Sequence, residues 1–345
     1  MSESTAAAEP TAGTAAGSAV AGTSQWRWAA RRFARNRLAL AALVLFVLIL
    51  ASCLAAPLYA RYVAHTDPFV SNLTGTTIVG GKRVDILQQS TSGLGLGTTP
   101  IGPPWSSNYF LGADEQGRDV AARLLYGGRS SLAIGIGSAF IACILATALG
   151  LVAGFFRGKT DSGLSRLMEL IWAFPVYLLL ISLSTVLLTQ GIRIGPVSVN
   201  PSSLWLPTII IGIVYVPYVY RPVRGQVLSI REKEFVEAAI SVGSGNLRLM
   251  FSGILPHVVT VVVVMLPLMV ATTVLTESAL SFLGIGVQAP QASWGTIIDD
   301  GQSLLYTRPW VSLAPGIMIV LTVLSLNVLG DGIRDAIDPH AELKL

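Results

Sequence analysis

Six apolar runs of membrane-spanning length constrain the fold of this chain more than any other feature. They lie at about residues 38–59, 131–156, 170–189, 204–220, 258–280 and 312–330, and Glu277 is the one charged residue among them. About 20 apolar residues in a helix cross the hydrocarbon core, and backbone groups in lipid must bond within their own segment. Charged residues make up only 12% of the chain, about half the share in ordinary soluble domains. The sequence therefore predicts an all-α membrane protein with six transmembrane helices.

Basic residues predict how these helices are oriented. Lys and Arg number five in residues 27–37, three in 157–169, five in 221–257 and two after the last run. The loops on the other side of the membrane hold six, one and one Lys or Arg residues. The six lie in residues 60–130, a loop that is too long to count in the positive-inside rule. We expect both termini and the loop 221–257 to be cytoplasmic, in a cell inner or plasma membrane.

The domain organisation follows the same pattern. Residues 1–25 are mostly Ala, Thr, Ser and Gly and cannot offset their ordering entropy, so we expect a disordered tail. The further segments are a basic and aromatic collar at the lipid headgroups (26–37), helix 1 (38–59), an extracytoplasmic insertion (60–130), a core with helices 2 to 6 and the loop 221–257 (131–332), and the C-terminus (333–345).

The insertion carries signals of its own structure. Thr76 to Val79 and Lys82 to Ile86 flank Gly80-Gly81, which predicts a β-hairpin. Asp119 to Arg129 reads as an amphipathic helix with an Asp119–Arg123 pair at i, i+4, lying on the outer membrane surface or over the helix mouths.

The loop before the fifth run holds a short amphipathic pattern. Phe235, Ala238, Ala239 and Val242 form a narrow apolar stripe, and Glu237 lies on another face. A helix of about three turns gains little from propensity alone, so it forms usefully only where it docks. Gly243 predicts the helix end and Pro256 the first turn of the next helix.

This loop, EAAISVGSGNLRLMFSGILP, resembles the EAA loop of the membrane subunits of ATP-binding-cassette (ABC) importers. The resemblance implies a coupling helix that docks in a groove of a separate ATPase subunit. The residues that carry the match are Glu237, Ala238, Ala239, Gly243, Leu255 and Pro256.

Four further strings resemble C-type permeases of the dipeptide and oligopeptide (and nickel) branch: LGADEQGRDVAARLLYGGRSSLAIG, RLMELIWAFP, TESALSFLGIGVQAPQASWG and NVLGDGIRDAIDP. The resemblance implies the type I ABC importer permease fold with an enlarged insertion between helices 1 and 2. It also implies a second permease subunit in a heterodimer, two ATPase subunits that bind ATP and Mg, and an extracytoplasmic substrate-binding protein.

Other functions find little support in the residues. Gly80-Gly81-Lys82-Arg83 lacks the first Gly and the hydroxyl of a phosphate-binding loop, so we expect no ATP hydrolysis and no cofactor in this chain. Cys53 and Cys143 lie in apolar runs and the three histidines stand far apart, which argues against a metal site or an enzyme. The scattered basic residues do not indicate nucleic acid.

Two carboxylates keep alternative roles. Glu277 is either a gate or substrate-amine contact, or a buried structural group bonded to a neighbour such as Ser281. The Glu169 carboxylate either has a structural role, interacting favourably with the N-terminus of the third span, or contacts the ATPase.

The function predicted is a permease subunit of an ATP-driven importer of dipeptides or oligopeptides. A permease for nickel or a glutathione-like solute in the same branch is an alternative. From another class, a stand-alone secondary carrier stays open, although such carriers place ionisable groups along their pathway.

Overall fold

The structure is a computed structural model that describes residues 25–90, 97–105, 108–190, 192–194, 197–199 and 203–337. The predicted tail (1–25), except its last residue, and the C-terminal residues 338–345 lie outside the described residues. Most of the described residues are helical.

The N-terminal region forms a short helix and then the first long apolar helix. Helix α1 is Gln25–Phe33 and helix α2 is Arg37–Leu54. The side chain of Asn36 caps α2 by accepting hydrogen bonds from the N–H groups of Leu38 and Ala39. The predicted first run continues as α3 (Ala56–Tyr59) and a π-helical turn (Ala60–Ala64).

Helix α4, Val120–Phe156, is longer than the second apolar run predicted. The separate surface helix predicted at Asp119 to Arg129 is wrong, because these residues are the cap and first turns of α4. Most of them are buried rather than amphipathic: Gly128 lies against the side chains of Cys53 and Trp294. Contact on several sides, which periodicity alone does not reveal, holds this end of α4 inside the protein.

The third and fourth runs each form two helices joined at a bend. Helices α5 (Gly158–Trp172) and α6 (Val176–Gln190) meet at 86°, and α7 (Trp205–Val214) and α8 (Val216–Arg231) at 43°. Pro175 lies in the first break and cannot donate the hydrogen bond that would continue α5. The first bend therefore follows from local backbone chemistry.

The helices that complete the described part of the chain are α9 (Glu234–Ser241), α10 (Asn246–Arg248), a π-helical turn (Leu249–Ile254), α11 (Leu255–Phe282), α12 (Trp294–Asp300), a 3-10 turn (Gln302–Leu304) and α13 (Trp310–Ile337). Within the described ranges, four helical segments, α2, α4, α10 to α11 and α13, are long and apolar enough to cross a membrane. Six spans result when each bent pair counts as one, which confirms the predicted all-α membrane fold with six transmembrane helices.

Three two-stranded antiparallel sheets lie between the helices in the residues that the structure describes. Strands β1 (Thr76–Val79) and β2 (Lys82–Asp85) form the predicted hairpin. Gly80 and Gly81 turn it with φ of 58° and 81°, as a two-residue type I′ turn requires. The other pairs are β3 (Leu87–Gln89) with β4 (Thr98–Pro100), and β5 (Ile192–Ile194) with β6 (Val197–Val199).

Helix α4 is the centre of the bundle and packs against α2, α7, α8 and α11, while α13 packs against α2 and α11. Glycines allow the closest approaches, because a Cβ added at Gly135 would lie 2.2 Å from the Val274 side chain and one at Gly150 would lie 2.6 Å from Val223. We call the end of the bundle that carries β1 to β4 and α12 the insertion end, and the opposite end the α9 end.

We predict opposite effects for two glycine-to-alanine changes. Gly135→Ala forces α4 away from α11 and should lower the unfolding free energy by about 1–3 kcal/mol, the usual cost of overpacking. Gly163→Ala, on α5, meets no atom within 4 Å and should raise it by about 0.5–1 kcal/mol. Thermal unfolding of both variants in detergent tests this, and equal melting temperatures would contradict the packing role of Gly135.

Candidate functional site: a short exposed helix at the α9 end

Helix α9 ends at a glycine in the left-handed conformation, as predicted. Gly243 has φ of 84°. The N–H of Ser244 donates to the Ala239 carbonyl at 3.0 Å, and the N–H of Gly243 donates to the Ile240 carbonyl at 2.9 Å. These two bonds define a Schellman motif, which fixes where the chain leaves the helix.

The predicted apolar stripe of α9 faces outward. Val236 is fully buried and anchors the helix to the core of the bundle, whereas Val242 is 87% exposed and Phe235 43%. Ala238 is also exposed, and Ala239 is half-buried. Val236 is thus the main anchor of α9, and most of the helix's apolar surface is available to another molecule.

The acidic residues of α9 lie in its first turn. Glu234 and Glu237 are both exposed there, near the N-terminal end of the helix, where negative charge interacts favourably with the helix dipole. Lys233 at the N-cap makes no side-chain capping bond, and its backbone carbonyl accepts from the N–H of Val236 at 2.9 Å.

The segment after α9 connects directly to a long span. Helix α10, the π-helical turn and α11 form one continuous helical segment from Asn246 to Phe282. Ile254 is buried, Leu255 half-buried and Pro256 exposed in the first turn of α11, as predicted for that proline. The segment that follows α9 is therefore continuous with the fifth span.

Helices α5 and α8 are joined by charged groups at the same end. The Arg224 guanidinium donates to both carboxylate oxygens of Asp161, with Nε to Oδ1 at 2.5 Å and Nη2 to Oδ2 at 2.6 Å. Arg157 reaches Glu232 just before α9, with Nη2 to Oε1 at 2.8 Å. A bidentate pair fixes orientation as well as distance, so it sets the orientation of α8 relative to α5.

The predicted position of Glu169 at a helix N-terminus is wrong. It lies in the last turn of α5, where its backbone carbonyl accepts from the N–H of Ala173, because the third run is broken after Trp172. Its side chain is exposed at the α9 end, and the ion pairs among the described residues do not include it.

Glu277 is fully buried in α11. The hydroxyl of Ser281, the neighbour expected from the sequence, donates to Oε1 of Glu277 at 2.7 Å. The hydroxyl of Ser278 donates to Oε2 at 3.4 Å. The carboxylate is thus enclosed by hydroxyl groups of its own helix.

A buried ionic cluster at the insertion end was missed by sequence reasoning. The Oδ2 atom of Asp300 accepts from Nη2 of Arg123 at 2.7 Å and from Nη2 of Arg118 at 3.0 Å, and Arg118 Nε donates to Oδ2 of Asp114 at 2.7 Å. Burial raises the pKa of the Asp300 carboxyl, and the two guanidinium groups oppose this shift. The cluster joins the insertion to α4 and α12.

The predicted Asp119–Arg123 pair is wrong. Asp119 instead caps α4, accepting from the N–H of Ala121 at 2.9 Å and of Ala122 at 3.2 Å. It also accepts from the Thr66 hydroxyl at 3.0 Å. Asp114 and Arg118, which also have i, i+4 spacing, form an ion pair that the sequence could have predicted. Asp300 is distant in sequence, so no local spacing indicates its bonds to Arg118 and Arg123.

Among the described residues, no group of three His, Cys, Asp or Glu side chains is placed to hold a metal ion. The Gly80-Gly81-Lys82-Arg83 sequence forms the tip and second strand of a hairpin rather than a loop that opens a helix.

A six-span bundle that presents a short exposed helix between its fourth and fifth spans defines a multi-pass membrane protein. The family described as "binding-protein-dependent transport system inner membrane component" matches residues 146–342, and the "N-terminal TM domain of oligopeptide transport permease C" matches residues 24–73. The chain belongs to this family of transport permease subunits.

Relatives with three different names are similar to about the same degree. The chain is 35% identical to the dipeptide transport system permease protein DppC of Alkalihalophilus pseudofirmus, covering 92% of this chain and 90% of the relative. It is 35% identical to the oligopeptide transport system permease protein OppC of Escherichia coli K12, covering 93% of each. It is 36% identical to the glutathione transport system permease protein GsiD of Pectobacterium atrosepticum, covering 68% and 73%.

We predict that the ionic cluster is needed for stability. Arg123→Met leaves Asp114, which is only 2% exposed, and Asp300 with one cation fewer, and breaking a buried pair in this way costs about 3–5 kcal/mol. Glu232→Gln, the control, breaks an exposed pair and should cost less than about 1 kcal/mol. Thermal unfolding in detergent measures both, and similar losses would contradict the assignment.

Proposed function

We propose that this chain is one of two permease subunits of an ATP-driven importer of peptides. The family to which it belongs supports the transport role, and relatives named for dipeptide and oligopeptide transport, covered over nine tenths of their length, support the substrate class. The second permease subunit, the two ATPase subunits and the extracytoplasmic binding protein are parts of this proposal.

The observation that carries the proposal is the exposed apolar face of α9. Phe235, Ile240, Val242 and Leu247 are exposed at one end of the bundle, beside a helix anchored mainly by Val236. Large apolar side chains exposed to water often mark a surface that binds a partner. A short helix that lays such a face into a groove is a common mode of docking, and the ATPase subunit is the partner proposed.

The contacts around α9 suggest how ATP binding reaches the pathway. ATPase closure moves α9, the continuous segment from Asn246 to Phe282 carries the displacement into the fifth span, and the Arg224–Asp161 pair carries it from α8 to α5. The spans then exchange an inward-open for an outward-open arrangement.

The orientation is also part of the proposal. The loops that meet at the α9 end hold most of the basic residues that count in the positive-inside rule, so this end is cytoplasmic and both chain termini are on that side. ATP and Mg are bound by the ATPase subunits and no cofactor by this chain. Glu169, exposed at the same end, is a second candidate contact to the ATPase.

The particular solute is the least specific part of the proposal. Relatives named for dipeptide, oligopeptide and glutathione transport are 35–36% identical to this chain, so identity does not separate them. Peptides are the class proposed, and nickel or glutathione are the alternatives that an uptake assay separates.

The test is uptake by the complex in proteoliposomes, with ATP hydrolysis measured in the same preparation. Gly243→Val puts a β-branched residue at φ of 84° although its Cβ meets nothing within 4 Å in this chain. The strain of roughly 1–3 kcal/mol should disturb the end of α9 and lower coupled uptake about tenfold, while the chain still folds. Glu237→Lys should have the same direction, because it places a cation at the helix N-terminus.

Gly243→Asn is the matched control, since Asn tolerates the left-handed region, and it should retain most uptake. Wild-type uptake by Gly243→Val would contradict the coupling role of α9. Uptake by this chain in vesicles that contain no ATPase would instead favour a stand-alone carrier.

A further inference from the structure

A cavity lies between α11 and α13, toward the α9 end of the bundle. Its volume is about 460 Å³, within the range of small-molecule sites. Val264, Met265 and Leu268 of α11 line one side, and the other side is formed by the last three turns of α13. We call this space the α11–α13 cavity.

Gly330 explains why the space is open. It lines the cavity on the α13 side, and a Cβ added to it would meet no atom closer than the Cβ of Pro267, at 3.7 Å. Elsewhere α11 and α13 pack against each other over much of their length. Because glycine has no side chain, the gap beside Gly330 is left for another molecule to fill.

The cavity is apolar in one part and charged in the other. Val264, Met265 and Leu268 belong to the fifth apolar run. Asp331, which also lines the cavity, is the first charged residue after the sixth run, and Arg334 follows one turn later. Both of these charged side chains are exposed. The cavity therefore extends from a spanning surface to the place where that surface ends.

The polar groups on α13 share one face and lack partners. Asn327, Asp331 and Arg334 follow an i, i+4, i+7 spacing. Oδ1 of Asn327 is buried and accepts no hydrogen bond from the described residues, although buried polar atoms nearly always have a partner. The ion pairs among the described residues include neither Asp331 nor Arg334. This face is therefore suited to a ligand with polar groups of its own.

The order of the groups matches the order of groups in a phospholipid. A guanidinium binds phosphate with two parallel N–H bonds, and a carboxylate binds an ammonium group. The apolar side chains of α11 lie next to them, where an acyl chain would continue into the bilayer. Pockets between transmembrane helices that hold basic residues are known sites for headgroups. A protein segment would need both charges and an apolar face in this same order.

Asp331 distinguishes between headgroups. A carboxylate accepts hydrogen bonds, and a primary ammonium group donates three. The quaternary ammonium of a choline headgroup has no N–H to donate, and a glycerol headgroup carries no positive charge. A headgroup with a primary amine is therefore the one that satisfies Asp331 and Arg334 together.

We propose that the α11–α13 cavity binds one phospholipid whose headgroup carries a primary amine, with its phosphate on Arg334 and its ammonium group on Asp331. Val264, Met265 and Leu268 contact an acyl chain. This site goes beyond the proposed function, because it does not depend on the solute or on the partner subunits. The bound lipid would contact the fifth and sixth spans at once.

Lipid retention by the purified full-length chain tests the headgroup. Phosphatidylethanolamine, phosphatidylcholine and phosphatidylglycerol with the same acyl chains are added in equal amounts in detergent, and native mass spectrometry measures the bound lipid. Phosphatidylethanolamine should be retained about threefold more than either of the others, the effect of one exposed ion pair. Equal retention of the three lipids would overturn the proposal.

Three variants test the residues. Arg334→Gln should lower retention of phosphatidylethanolamine about threefold, and Asp331→Asn should remove its advantage over phosphatidylcholine. Asp335→Asn is the matched control, because Asp335 is exposed on the same helix and lies outside the cavity lining. All three side chains are exposed, so the melting temperatures should match that of the wild type. Wild-type retention by Arg334→Gln, or an equal loss in Asp335→Asn, would overturn the proposal.

A photoreactive lipid tests the position and the occupant. Phosphatidylethanolamine with a diazirine in one acyl chain should label the α11 segment from Val264 to Leu268, both in the purified chain and in native membranes. An excess of glycerophosphoethanolamine, the headgroup without chains, should not reduce this labelling. Displacement by the free headgroup would indicate a site for a soluble phosphate compound. Labelling of other segments alone, or loss of labelling in native membranes, would mean that lipid does not fill the cavity. Each of these three outcomes would overturn the proposal.

Discussion

A polar group placed at membrane depth must find its partner within the protein, and most of this structure depends on that constraint. The Thr273 hydroxyl in α11 donates to the Gly135 carbonyl in α4 at 2.7 Å, and Ser138 in α4 donates to the Thr208 carbonyl in α7 at 2.9 Å. The buried carboxylate of Glu277 is met by serine hydroxyls. The first two bonds sit where small residues let two helices approach closely, so polar contacts and close packing fix the same interfaces.

Charge is concentrated toward the two ends of the bundle, where it has different consequences. At the insertion end, Asp300 joins Arg118 and Arg123 in a buried cluster that makes the insertion, α4 and α12 one unit. At the α9 end, the Arg224–Asp161 pair joins two helices, while α9 itself is held mainly by Val236. One end is therefore fixed within the chain, and the other leaves a lightly anchored helix for a partner to hold.

The sequence predicted features that depend on local chemistry. Six apolar runs, the Gly80-Gly81 hairpin and the glycine that ends α9 are each dictated by hydropathy or by backbone conformation, and the structure contains them. Prediction failed where distant residues decide the outcome. Arg123 pairs with Asp300 rather than Asp119 because α12 is brought alongside α4 only by the fold. The sequence placed Glu169 at the start of a helix because hydropathy does not indicate the break at Pro175. The direction in which the apolar stripe of α9 faces depends on which of its residues packs in the core, and that residue is Val236.

The proposed function depends above all on the ATPase covering the exposed face of α9. A photoreactive benzophenone attached to a cysteine at Val242, which is 87% exposed, would test this contact most directly in the reconstituted complex, with Leu283 at the other end of the bundle as the matched position. We predict that illumination joins the Val242 probe to the ATPase subunit and that the Leu283 probe does not reach it. Attachment of the Val242 probe to lipid alone, in a complex that still transports with ATP, would contradict the proposed contact.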